Sequence, residues 1–216
     1  LGGLLKEIGE GGKTGGGARK YLSALKRKDL SMDVKGLELA GFDPRGVKGQ
    51  ALAYATSCHG GDYLTAFMVG PEVLGKPLLF DRFSLKGKAG ILQVFENLTA
   101  LLDSLVLCTF SVFAVNEELC SALLRFGVGI EISPAELLKV GERIWNLERV
   151  YNLTAGFSRK DDTFPERLFE DGNEEKGNGI RRQEFEASLQ DYYHYRGWDK
   201  EGAPLQKKLG ELEIKS

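Results

Sequence analysis

Residues 133–156 read SPAELLKVGERIWNLERVYNLTAG. Ser133 and Glu136 have the spacing of a capping box, in which a hydroxyl and a carboxylate each satisfy a backbone N–H at a helix start. Pro134 falls at the first helical position, where its missing N–H costs nothing. Leu137, Val140, Ile144, Leu147, Val150 and Tyr151 recur at helical spacing and predict one apolar stripe. Gly156 marks the end, because glycine accepts the left-handed geometry that closes a helix. The spacing therefore predicts a helix from Pro134 to about Ala155.

The same 3.6-residue period dominates on either side. Ala18 to Leu25 reads as a short helix. Asp43-Pro44 opens a helical stretch through Val47, Ala51 and Ala55. Its small residues (Ala51, Ala53, Ala55, Ser57, Gly60, Gly61) suit either tight helix packing or close approach of a large cofactor. Leu85 to Leu107 forms a central apolar helix, and Asn116 starts another with Glu117 and Glu118 at its positive end. Arg181 to Tyr195, closed by Gly197, forms the last one. Only Met32 to Leu39 hints at a strand. The fold class is all-α and multihelical.

The 216 residues are 42% hydrophobic and 28% charged, with a net charge of −2. That is an ordinary globular composition without the basic excess of a nucleic-acid binder. The apolar run from Ile91 to Val115 is interrupted by Gln93, Glu96, Asn97 and Asp103, which disfavours a membrane span. Residue 1 is Leu and no signal peptide precedes it, so a processed or partial chain in the cytoplasm is expected. Cysteines stand at 58, 108 and 120 with no C-x-x-C, which favours reduced thiols. Gly12-Lys13-Thr14 imitates the end of a P-loop, but Glu7 stands where the first glycine belongs. The sequons at Asn97 and Asn152 fall in helical patterns and read as chance matches. Asp171 to Gly179 is polar, glycine-rich and loop-like.

Within the central run, Asp103-Ser104-Leu105-Val106-Leu107-Cys108 sets a carboxylate and a thiol five residues apart. An Asp buried in such a run needs a hydrogen-bonding partner, and a ligand rich in N–H groups would serve.

Several blocks, in order, resemble the carboxy-terminal part of the tungsten-containing aldehyde ferredoxin oxidoreductase family. Residues 32–39 (MDVKGLEL) are similar to its MHVKGLELP segment. Residues 43–57 are similar to its DPRGxKGxxLxYATS block. Residues 103–108 follow its D-x-x-G-L-C pattern, with Val106 where glycine is usual. Residues 146–162 resemble its NLExxxNLREGFxRKDD block, and residues 192–199 its terminal YYxxRGWD.

The resemblance implies the multihelical carboxy-terminal domains of that enzyme. One boundary is expected near residue 85, between the end of a middle domain (1–85) and a carboxy-terminal domain (86–216). It implies a tungsten or molybdenum ion held by two pterin dithiolenes, a [4Fe–4S] cluster, aldehydes as substrates and ferredoxin as electron acceptor. Asp103 would hydrogen-bond a pterin ring, Leu107 would offer backbone groups to it, and Cys108 would be one cluster ligand. The family's other three cluster cysteines lie upstream and are absent here, so the rest of the enzyme is an expected partner. A homo-oligomer is compatible with this reading.

After Tyr-Ala-Thr-Ser the family often reads R-G-x-x-H-L, whereas residues 58–64 are CHGGDYL. Tyr63 therefore takes the place of a histidine associated with proton transfer. A phenol titrating near ~10 can donate a hydrogen bond but accepts a proton poorly at neutral pH. His59, four residues earlier, either compensates or is a surface or capping residue. The alternative to an enzyme fragment is a non-catalytic helical scaffold that binds other proteins.

Overall fold

The computed structural model describes residue 6, residues 17–170 and residues 179–215. The Gly12-Lys13-Thr14 segment lies outside the described residues, as does 171–178 of the expected loop. Eight α-helices are described: α1 (Ala18–Ala24), α2 (Lys48–Thr56), α3 (Lys88–Ser104), α4 (Glu117–Val128), α5 (Pro134–Thr154), α6 (Arg167–Glu170), α7 (Arg182–Arg196) and α8 (Gln206–Glu211). Strands β1 (Asp33–Val34) and β2 (Leu37–Glu38) pair antiparallel, Asp33 opposite Glu38 and Val34 opposite Leu37. The segment that hinted at a strand is this hairpin. Short 3₁₀ and π turns complete the path. Among the described residues no helix is long and apolar enough to cross a membrane.

Every residue of α2 is buried, so the helix runs through the core. The small side chains around Ala51, Ala53 and Ala55 let Leu92 and Phe95 of α3 and Leu189 and Tyr192 of α7 close on it in one apolar cluster. That cluster runs from Val34 to Trp198 and so draws on both sides of position 85. The helix does not begin at Asp43. Asp43 caps a separate 3₁₀ turn, Pro44–Gly46, and Val47 breaks away at φ −146° before α2 starts at Lys48.

Ser133 and Glu136 form the capping box, and α5 ends where Gly156 turns to φ 97°. Its buried face is not the expected stripe, however. Leu137, Gly141, Trp145 and Arg149 face inward, while Leu147 and Tyr151 are exposed. Two contacts rotate the helix. A Cβ on Gly141 would lie 1.9 Å from the carbonyl oxygen of Asn97, so α3 crosses α5 in backbone contact there. Arg149 is buried because Asp162 receives its guanidinium in two hydrogen bonds, at 3.0 and 2.7 Å.

A second polar group lies between α3, α5 and α7. Glu96 accepts from Arg196 Nη2 (2.5 Å) and from the Tyr192 hydroxyl (2.7 Å). That hydroxyl accepts from Trp145 Nε1 (2.9 Å) and Arg196 Nε (3.0 Å). Arg196 Nη1 donates to Asn97 at 2.6 Å.

The central helix is shorter than expected, because Leu105–Leu107 closes it. The Val106 N–H bonds the Asp103 carbonyl and the Leu107 N–H bonds the Leu102 carbonyl, both at 3.0 Å. This paired closure requires a left-handed residue, usually glycine. Here it is Val106, at φ 57° and 91% exposed. The left-handed region costs an L residue roughly 1–2 kcal/mol, and glycine's extra freedom in the unfolded chain takes back about 0.4–1. Val106→Gly is therefore expected to raise stability by about 0.5–1 kcal/mol. A urea midpoint that stays put or falls in the variant would contradict this.

Candidate functional site

The closure of α3 decides where the expected ligand residues lie. Asp103 sits on the last helical turn and Cys108 just beyond the reversal, where its carbonyl accepts from Ser111 N–H at 2.8 Å and opens the 3₁₀ turn Thr109–Phe113. Both side chains are exposed. Asp103 is thus not the buried carboxylate expected from the apolar run. Leu101 and Leu102 take the core side of the turn, which leaves Asp103 facing outward. None of the described residues donates a hydrogen bond to its carboxylate. Leu107 is half-buried against the small cluster built on Leu101, Leu102, Cys120 and Leu137. Cys120 is fully buried there, so the two cysteines that follow α3 have opposite environments. Among the described residues no three His, Cys, Asp or Glu side chains converge as a metal-binding set.

His59 and Tyr63 lie in the loop that follows α2. The loop is pressed onto the hairpin: a Cβ at Gly60 or Gly61 would stand 2.4 Å from the carbonyl oxygen of Val34 or Leu37. The Asn152 amide donates to the Cys58 carbonyl at 2.8 Å, and Ser57 Oγ accepts from His59 N–H at 3.1 Å. Asp62 caps the next turn by accepting from Leu64 N–H at 2.8 Å. The loop is therefore held from the hairpin, from α5 and from within.

The His59 ring is half-exposed and lies between two carboxylates. Nδ1 faces Asp62 Oδ2 at 3.5 Å and Nε2 faces Glu148 Oε1 at 3.7 Å. Asp62, then Glu148, raises the imidazole pKa to about 10 against the opposing effect of burial. His59 is an imidazolium at neutral pH, able to donate but not to act as a base.

A hollow of about 170 Å³ lies between α3 and α5, lined by His59, Thr65, Thr99, Asp103, Trp145 and Glu148 among others. The fold thus brings His59 and Asp103, 44 positions apart in sequence, to one cavity. A second hollow of about 420 Å³ shares His59 and Glu148 and adds Cys58, Leu147, Tyr151 and Asn152. Burial pushes the Cys58 thiol up to about 12, so it is a poor nucleophile at neutral pH.

Tyr63 does not line the cavity of His59 and Asp103. Its ring stands in an aromatic row, 6.0 Å from Phe42 and 6.0 Å from Phe67, which in turn meets Phe110 and Phe113. Asp62 and Glu148 are the residues that sequence reasoning passed over. Glu148 stood inside a quoted block, but nothing in the pattern joined it to a histidine 89 positions earlier.

The family model for aldehyde ferredoxin oxidoreductase, domains 2 and 3, matches residues 4–214. This chain belongs to the aldehyde ferredoxin oxidoreductase family. It is 39% identical to the tungsten-containing aldehyde ferredoxin oxidoreductase of Pyrococcus furiosus over 98% of the chain, and 37% identical to that of Thermococcus kodakarensis over 97%. The aligned regions are 35% and 34% of those proteins, so the chain spans about a third of their length. It is also 28% identical to an aliphatic sulfonate oxidoreductase, WOR-like subunit, of P. furiosus, over 90% of the chain and 31% of that protein. Among solved structures, the active site complex BamBC of benzoyl coenzyme A reductase superposes with a TM-score of 0.54 at 16% identity. The match covers 84% of this chain and 32% of that one, a likeness of fold.

Proposed function

We propose that this chain is the cofactor-contacting, carboxy-terminal part of a pterin enzyme that oxidises aldehydes to carboxylic acids and passes the electrons to ferredoxin. The observation that carries the reading is the end of α3, where Asp103 offers a carboxylate with no hydrogen-bond donor among the described residues and Cys108 an exposed thiol. Both fit the expected groups. An ionised carboxylate accepts strongly from ring N–H donors, and an exposed thiol can bind iron as its thiolate.

When bound, a tungsten or molybdenum bis-pterin would supply oxygen transfer, and a [4Fe–4S] cluster, its other ligands outside this chain, would conduct electrons. Asp103 would orient a pterin ring, Leu107 would add backbone contacts and Cys108 would hold one iron. His59, as an imidazolium, would donate a hydrogen bond or supply positive charge. Tyr63 would line the substrate side through its hydroxyl, with its ring fixed by Phe42 and Phe67. The boundary near residue 85 would separate the last two domains of the complete enzyme. Aldehydes are favoured over sulfonates because the aldehyde enzymes are the nearer relatives, at 35–39% against 28% identity.

The test compares Cys108→Ser and Cys120→Ser in the complete protein. Cys108→Ser is expected to lose or convert the four-iron cluster with the fold retained. Cys120→Ser, which buries a hydroxyl among leucines, is expected to keep its iron and lose stability. The reverse pattern of iron content would sink the assignment. A non-catalytic scaffold would contain no stoichiometric tungsten, molybdenum or iron to lose.

A further inference from the structure

The cavity beside Asp103 has an unusual balance of charge. The charged groups facing His59 are Asp62 from its own loop and Glu148 from α5, Asp103 from α3 lines the same hollow, and Cys58 and Tyr151 line the adjoining one. One ring thus meets two carboxylates and shares its hollow with a third. Each of its nitrogens faces a carboxylate oxygen, an arrangement in which both can only usefully be N–H. The loop backbone that carries the ring is also held in place, by Gly60 and Gly61 on the hairpin carbonyls and by Asn152 on the Cys58 carbonyl.

We propose that Asp62 and Glu148 clamp His59 as a fixed imidazolium whose task is to serve as counter-cation to the Asp103 carboxylate across their shared cavity. The proposal deepens, and rests on, the reading of Asp103 as a hydrogen-bond acceptor for a heterocyclic ring. Partial desolvation at the wall of the hollow pushes the otherwise exposed Asp103 carboxyl up, His59 pulls it down, and Asp62 and Glu148 push it up again. Without the cation, Asp103 would share its surroundings with two further carboxylates and would take up a proton more readily. A protonated carboxyl presents an O–H and loses acceptor strength, the wrong polarity for ring N–H groups. Glu148 is then a positioning residue that acts on Asp103 through His59.

The experiment follows two titrations by ¹³C NMR in the protein that carries this chain, one at His59 and one at Asp103. His59→Gln and Asp103→Asn identify the signals. His59 is expected to remain protonated through about pH 8, and Glu148→Gln is expected to lower its midpoint by about one pH unit or more. His59→Gln is expected to raise the Asp103 midpoint by about one pH unit. The clamp is overturned if His59 titrates at an ordinary imidazole value in the parent protein, or if Glu148→Gln leaves its midpoint unchanged. An Asp103 midpoint indifferent to His59→Gln overturns the counter-cation role. Pterin content gives a separate reading: if Asp103→Leu, which offers no acceptor, retains the full complement, the acceptor role of Asp103 fails although both titrations behave as stated.

Discussion

Arg196→Met is expected to destabilise the fold by about 3–5 kcal/mol, the usual result of leaving one partner of a buried ion pair alone. The guanidinium is fully buried and donates to three acceptors at once: Glu96, Asn97 and the Tyr192 hydroxyl. Its removal leaves the Glu96 carboxylate dry and, among the described residues, supported by Tyr192 and by Thr56 at 3.3 Å. Burial already pushes that carboxyl upward, so the variant should take up a proton at Glu96 as it loosens. Replacing both partners, Glu96→Leu with Arg196→Met, removes the stranded charge. The double variant should recover part of the loss. Urea unfolding of the two single variants and the double one checks this. Additive losses would show that Glu96 and Arg196 do not act as a pair.

Asp162→Ala should be at least as damaging, again about 3–5 kcal/mol, because it strands two buried cations rather than one. Arg149 donates to Asp162 twice, the Lys35 ammonium lies 3.0 Å from Oδ1, and the Tyr193 hydroxyl donates to Oδ2 at 2.5 Å. Lys35 also sits in the tight turn of the hairpin at φ 50°, followed by Gly36 at φ 89°. Two successive positive φ values define a type I′ turn, in which asparagine is preferred at the first position. Lysine is held there by Asp162 and by the Ala55 carbonyl, which its ammonium meets at 2.6 Å. Lys35→Asn removes one cation but relieves the turn and leaves Arg149 paired, so it should cost clearly less than Asp162→Ala. An equal or greater cost for Lys35→Asn would place the role of this cluster in the turn rather than in charge pairing.

Backbone signals were readable because they are local. Ser133, Pro134 and Glu136 announce a helix start by chemistry confined to one turn, and Gly156 and Gly197 announce ends in the same way. Burial is settled by distant partners and was read less well. Arg149 counts as polar in any pattern, yet it is inside because Asp162 waits on another segment. Gly141 carries no hydrophobic signal, yet it faces inward because Asn97 needs the space of a side chain. Those two residues rotate α5 and turn Leu147 and Tyr151 out toward the hollow beside His59. At the candidate site, the spacing of Asp103 and Cys108 is legible in the sequence. Their exposure is not, because it follows from a closure of α3 that a valine at position 106 does not advertise. The pairing of His59 with Glu148 depends on how α2 and α5 pack, which no local pattern encodes.

The Tyr192 hydroxyl carries a consequence about hydrogen atoms. Trp145 and Arg196 can only give hydrogens to its oxygen, never receive one. With both lone-pair directions taken, the phenolic hydrogen has a single direction left, toward Glu96 Oε2. Glu96 Oε2 must then meet it with a bare lone pair, so any proton that Glu96 takes up is confined to Oε1, on the side of Thr56. Around the Tyr192 oxygen the hydrogens have one arrangement, since neither Trp145 nor Arg196 can accept. Where α3, α5 and α7 meet, the direction of the Tyr192 O–H is therefore set by its two donors, Trp145 and Arg196.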